Sequence, residues 1–232
     1  NEQLAEGLGR YPQFLIGFGA VRLGIDPPSI VERLHGMGFR GLKITRPTIS
    51  YDDRRADAYY ARAAAYGMPI LFHTGTVARS RYDHLLDVDC NRMRPIYLDT
   101  IARRFPELKI IGAHLGNPWY EEACMVAFWN PNVWFDVSGT TLKRKDAAWF
   151  RQMFWWDEAT CRKLASNFRE SWYASAASTS SPFEKIVFGT DVPIDGMALA
   201  MQEHLALLEA LELPQSVRDN IMGQTVGSLL QL

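Results

Sequence analysis

Short apolar runs recur along this chain, each closed by glycine, proline or a polar side chain. The run at 14–21 is continuous and too brief for a helix, and those at 41–45, 70–72, 109–113 and 186–189 are short in the same way, the pattern of buried strands. That at 133–137 alternates enough to be a strand. Between them lie stretches with helical spacing or composition. Ile30, Val31 and Leu34 form one, stopped by Gly36 and Gly38. Others cover 51–66, 95–105, 119–129, 146–168, 196–211 and 216–230, and residues 1–10 read as a helix end or a surface lead-in. Residues 76–91 form a long polar loop, and 171–182, rich in serine and alanine, an irregular one. Strand and helix alternate through about six units, which predicts a parallel sheet covered by helices. No repeat or linker divides the chain, so residues 1–232 are read as a single α/β domain.

Three strand ends carry the chemistry. Residues 70–75 run Ile-Leu-Phe-His-Thr-Gly, 109–116 end in Ala-His-Leu-Gly, and 185–191 end in Gly-Thr-Asp. Each apolar run thus delivers one side chain fit for metal binding or proton transfer: His73, His114 and Asp191. A parallel barrel gathers such ends on one face.

Composition narrows the function. The chain is 47% hydrophobic with a net charge of −1, so no global field favours nucleic acid or an anionic membrane. No basic tract, apolar run long enough for a membrane span, or signal-peptide pattern occurs. Cys90, Cys124 and Cys161 are odd in number and widely spaced, which points to unpaired thiols and a cytoplasmic protein.

The sequence resembles the amidohydrolase-2 branch of the metal-dependent amidohydrolase superfamily. That branch includes aminocarboxymuconate-semialdehyde decarboxylase, resorcylate decarboxylases and lactone- or ester-cleaving hydrolases. The resemblance rests on Phe39-Arg40-Gly41-Leu42-Lys43, Pro69-Ile70-Leu71-Phe72-His73-Thr74-Gly75, and Arg104-Phe105-Pro106 paired with Ile111-Gly112-Ala113-His114-Leu115-Gly116. Val133 to Ser138, Ile186 to Pro193 and Ile221 to Val226 complete it, in order and over nearly the whole chain.

The resemblance implies a (β/α)8 barrel of TIM type whose third to eighth strands are those above. It implies a shortened N-terminus, because the family's first strand, with its His-x-His metal ligands, should precede Asn1, and no His-x-His occurs here. It further implies one divalent metal, zinc in first place, held by His73 and Asp191 and conditional on ligands outside this chain. Asp191 would act as general base. His114 would polarise the substrate or carry a proton, a task suited to imidazole. Lys43 and Arg46 would bind a substrate, a carboxylate among the options. Trp119 could wall the pocket, and His84 could reach it from the polar loop. Asp136 would stand behind these groups, His35 and His204 would be structural or exposed, and the aromatic cluster 149–156 would be core or subunit interface.

The leading expectation is a hydrolase that cleaves an ester, lactone or amide with metal-activated water. The alternative is non-oxidative decarboxylation of an aromatic or enoic acid. A third reading is a non-catalytic shortened barrel that binds a ligand or another chain. The partners expected are a small-molecule substrate and, through exposed sheet edges, a second copy in a homo-oligomer.

Overall fold

The computed structural model describes residues 1–139, 141–157, 159–160, 163 and 181–232. Six strands form one sheet: β1 (Phe18–Val21), β2 (Gly41–Ile44), β3 (Ile70–Phe72), β4 (Ile110–Gly112), β5 (Val133–Asp136) and β6 (Ile186–Val187). They lie in strict chain order, and every neighbouring pair is parallel. The sheet is open, ending at β1 and β6. Helices α1 (Glu2–Arg10), α2 (Ile30–Gly36), α3 (Asp57–Ala65), α4 (Ile96–Arg104), α5 (Tyr120–Trp129) and α6 (Ala147–Met153) accompany the first five strands. After β6 come α7 (Met197–Ala210), α8 (Gln215–Asp219) and α9 (Thr225–Leu230). This is the α/β architecture that the alternation predicts. Among the described residues, no helix is long and apolar enough to cross a membrane.

Side chains alternate across a strand, so each strand serves two faces. Leu42, Ile44, Ile70, Phe72, Ile110, Val133 and Phe135 enter the main core with the helices. On the opposite face Lys43, Leu71, Ile111 and Trp134 stand side by side in register across four strands. There Ile111, Val187 and Leu229 make a second, smaller core, with Val226 against it. Helix α9 therefore packs on the inner face. Lys109 Nζ donates to the Leu229 carbonyl at 2.7 Å, and Arg40 Nη2 to that of Leu230 at 3.3 Å. Both cations precede strands, so α9 sits at the sheet's N-terminal end and its last carbonyls find partners there. The C-terminal ends of the strands are left for chemistry.

Several boundaries differ from those the sequence predicts. Residues 14–17 are not strand: the ladder starts at Phe18 opposite Gly41, and Phe14 is 78% exposed. The outer edge of β1 is not bare either. Asn1 accepts from the Ala20 N–H at 2.8 Å and donates to its carbonyl at 3.0 Å, as a neighbouring strand would. The helix expected over 51–66 begins only at Asp57, after a 3-10 turn at Arg54–Ala56 whose first N–H groups are served by Asp53. The helix expected over 216–230 is broken by a π-turn at Asn220–Gln224, where the Ile221 carbonyl accepts from the Phe188 N–H after β6 at 2.9 Å. In the aromatic cluster, Phe150, Phe154 and Trp156 are buried and Trp155 is exposed. Cys161, most of the loop expected over 171–182 and most of the helix expected beyond 157 lie outside the described residues.

Candidate active site

His73 follows β3 and continues the alternation of Leu71 onto the inner face. Its backbone is fixed from both sides: its N–H donates to the Ile44 carbonyl at 2.8 Å, and its carbonyl accepts from the Tyr51 hydroxyl at 2.7 Å. Thr74 donates its hydroxyl to the Ala113 carbonyl, which ties the end of β3 to that of β4. Gly75 then turns at φ +108°, and an added Cβ would run into the Asn117 carbonyl.

Beyond β4, His114 and Leu115 take left-handed φ of 61° and 44°, costly for side chains of their size. What holds His114 there is Asp136 at the end of β5. Asp136 Oδ1 accepts the His114 N–H at 2.9 Å, the Ser138 N–H at 2.9 Å and the Ser138 hydroxyl at 2.6 Å. The Ser138 oxygen also lies 2.8 Å from His114 Nδ1. Serine has a single hydroxyl hydrogen. Given to the Asp136 carboxylate, it leaves the Ser138 oxygen to accept, so Nδ1 carries the imidazole proton. The network therefore assigns the lone pair of neutral His114 to Nε2.

That nitrogen faces the Asp191 carboxylate, with Nε2 to Oδ2 at 3.9 Å. Asp191 is 65% exposed and also has a left-handed φ, 48°. The His73 ring stands edge-on to that of His114, with centroids 4.8 Å apart. Burial, followed by the nearby His114 and Lys43, lowers the His73 pKa to about 4, so this imidazole is neutral at neutral pH. His73, His114 and Asp191 thus line one cleft of about 360 Å³, with Asn117, Thr141, Lys143 and Thr190 around them.

The other sequence candidates are placed differently. Lys43 is half-buried and does not line the cleft. Burial lowers its pKa, against the pull of Asp136 and Asp191. Arg46 is exposed and donates to the Ala78 carbonyl at 3.2 Å. Trp119 lies beneath Arg94 and lines a separate hollow with Trp149 and Met153. His84 is exposed on a short turn and does not line the cleft. The sequence reading left Ser138 without a role; its signal is the Asp-x-Ser spacing at the end of β5. It gave Lys143, on the cleft wall, no part either.

The donor set suits a divalent ion in kind: a neutral imidazole, a carboxylate with no hydrogen bond among the described residues, and the free Nε2 of His114. Yet among the described residues no three His, Cys, Asp or Glu side chains come together as a ready metal cage. His73 and Asp191 are donors of a suitable kind, but the described residues do not complete a metal site around them.

The amidohydrolase family model matches residues 1–226. The chain belongs to the amidohydrolase family. No curated protein matches it in sequence. An uncharacterised TIM-barrel protein from Bordetella bronchiseptica is similar to this amidohydrolase over 99% of its length and 71% of the neighbour's, with TM-score 0.71 at 19% identity. A dihydroxybenzoic acid decarboxylase from Polaromonas sp. JS666, with bound manganese and the inhibitor 2-nitroresorcinol, aligns over 100% of this chain and 73% of its own, with TM-score 0.60 at 16% identity. A probable 2-pyrone-4,6-dicarboxylic acid hydrolase from Acinetobacter baumannii, with citric acid bound, covers 100% and 79%, with TM-score 0.56 at 13% identity. These neighbours bear on the fold: six strands of this chain follow the course of a TIM-barrel protein in an unclosed sheet.

Proposed function

We propose that this amidohydrolase hydrolyses an ester, lactone or amide of a small molecule. The observation that carries the reading is the 3.9 Å gap between His114 Nε2 and Asp191 Oδ2. When the His114 imidazole is neutral, both sides of that gap are acceptors, so its natural occupant is a donor, a water above all. Asp191, exposed to the cleft, takes the proton as water attacks the substrate carbonyl. His114, locked by Asp136 and Ser138, receives or returns a proton at Nε2 without having to turn its ring. A divalent ion, zinc in first place, would be held by His73 and Asp191 together with further donors. When bound it lowers the pKa of water and polarises a carbonyl.

A second reading keeps the site and changes the reaction to decarboxylation of an aromatic or enoic acid. Half-buried Lys43, whose ammonium feels the pull of both Asp136 and Asp191, supports it, as does the chemistry named for the Polaromonas neighbour. One assay separates the two. Protein supplied with zinc or manganese is offered aryl esters and lactones on one side and hydroxybenzoates on the other. Ester or lactone turnover without carbon dioxide release supports hydrolysis; carbon dioxide from hydroxybenzoates with inert esters overturns it.

A further inference from the structure

Behind the cleft lies a second cavity of about 290 Å³, between the ends of β5 and β6 and helices α6 and α7. Leu142, Phe150, Ala200 and Leu207 give it apolar walls. It adjoins the cleft, since Lys143 and Thr190 line both spaces. Ser138, on its wall, is the residue that hydrogen-bonds His114.

The charged groups around this cavity are already engaged. Lys143 Nζ pairs with Glu203 Oε2 at 2.7 Å. Lys145 Nζ lies over the Trp149 ring, 5.1 Å from its centroid. Asp146 caps α6 by accepting the Trp149 N–H at 2.9 Å. His204 packs edge-on against Phe188, and burial lowers its pKa to about 4, so it too is uncharged near neutral pH. Among these groups only His204 Nε2, buried and without a hydrogen-bond partner among the described residues, is open to a ligand, and as a neutral acceptor it would take a single N–H or O–H donor rather than balance a charge. An uncharged apolar group would break none of these pairs, and it would gain from leaving water.

We propose that this cavity receives an uncharged aryl or branched alkyl group of the substrate, carried next to the bond that reacts in the cleft. The size fits. A cavity of about 150 Å³ accepts benzene, so this one has room for a bicyclic ring. The inference rests on the hydrolase reading for its chemistry and on the cavity alone for its binding.

The test has an activity arm and a binding arm. In the first, p-nitrophenyl 2-naphthoate and p-nitrophenyl acetate are compared as substrates. The naphthoate is expected to have the higher kcat/KM, by about tenfold or more. Ala200→Phe and, independently, Ala147→Phe fill the cavity; each is expected to cut naphthoate turnover by about tenfold while acetate turnover stays within about twofold. Melting curves establish that each variant folds. An equal loss on both esters in folded variants, or no loss on either, overturns the proposal. In the second arm, 2-naphthol is titrated into the unmodified protein and both variants by calorimetry. Saturable binding that both variants abolish supports the cavity assignment even where neither ester is hydrolysed, an outcome that sinks the hydrolase reading alone. Absence of saturable 2-naphthol binding to the unmodified protein overturns the assignment whatever the ester result.

Discussion

His114 Nε2 and Asp191 Oδ2 face each other across 3.9 Å, and both offer lone pairs to the space between them. The 3.9 Å separation is beyond hydrogen-bond reach and Asp191 is 65% exposed, so Asp191 gives the fold little. Asp191→Asn is expected to leave the denaturation free energy within ~0.5 kcal/mol. The same change should lower kcat by roughly 10²–10⁴-fold, the usual contribution of a general base. Steady-state kinetics beside a urea titration would separate the two, and full activity would sink the assignment.

Asp136 is the contrasting carboxylate. Its side chain is 11% exposed, and one of its oxygens accepts three hydrogen bonds. Asp136→Ala leaves those donors without a partner and should cost about 2 kcal/mol or more. Ser138→Ala is milder for stability, and its effect is on the proton. Nitrogen-15 spectra of the unmodified protein should show neutral His114 protonated at Nδ1. In Ser138→Ala that preference should weaken, with kcat falling roughly 10–100-fold. An Nε2–H tautomer in the unmodified protein would contradict the network.

The proposed mechanism takes His73 and Asp191 as two ligands of a divalent ion. Elemental analysis of the purified protein should find divalent metal that His73→Ala and Asp191→Ala each reduce. Less than about a tenth of an equivalent together with intact activity would remove the metal from the mechanism.

Buried His204 makes stability depend on pH. Its pKa is lowered from 6.5 to about 4 by burial. Between those values the unfolded chain binds the proton more tightly than the folded one, so stability falls as pH falls from 6.5 towards 4. The loss reaches at most ~3 kcal/mol for this residue. Urea midpoints measured from pH 7 to pH 4 should show the slope; His73, also lowered to about 4, contributes in the same window, so His204→Leu should reduce the slope without abolishing it. An unchanged slope in that variant would place the proton uptake elsewhere.

Gly75 holds the turn after His73 at φ +108°, with the Asn117 carbonyl against it. Gly75→Ala should cost more than ~1 kcal/mol and displace Asn117, which lines the cleft. Loss of activity without loss of stability would mean that the turn adapts and only the cleft moves.

Sequence alone determined the parts that short-range physics controls. Continuous apolar runs of strand length, separated by helical spacing, required a parallel α/β sheet. The same runs placed His73, His114 and Asp191 at strand ends, because a buried strand can release a polar side chain only where it leaves the core. The tertiary structure decided what depends on neighbours distant in the chain. Asp136 and Ser138 looked like the close of β5, and only the pairing of β4 with β5 brings them under His114. Trp119, from the turn after β4, and His84, from the polar loop, looked able to reach the pocket, yet neither lines the cleft: Trp119 lines a separate hollow and His84 is exposed on a short turn. The break at Asn220–Gln224 exists because β6 claims the Ile221 carbonyl, a bond no local pattern foretells. The register across β2, β3, β4 and β5 puts Lys43 in the same row as Leu71, Ile111 and Trp134, on the face that carries the site. A residue's propensity travels with its sequence, whereas its partners are fixed only when strands pair and helices pack.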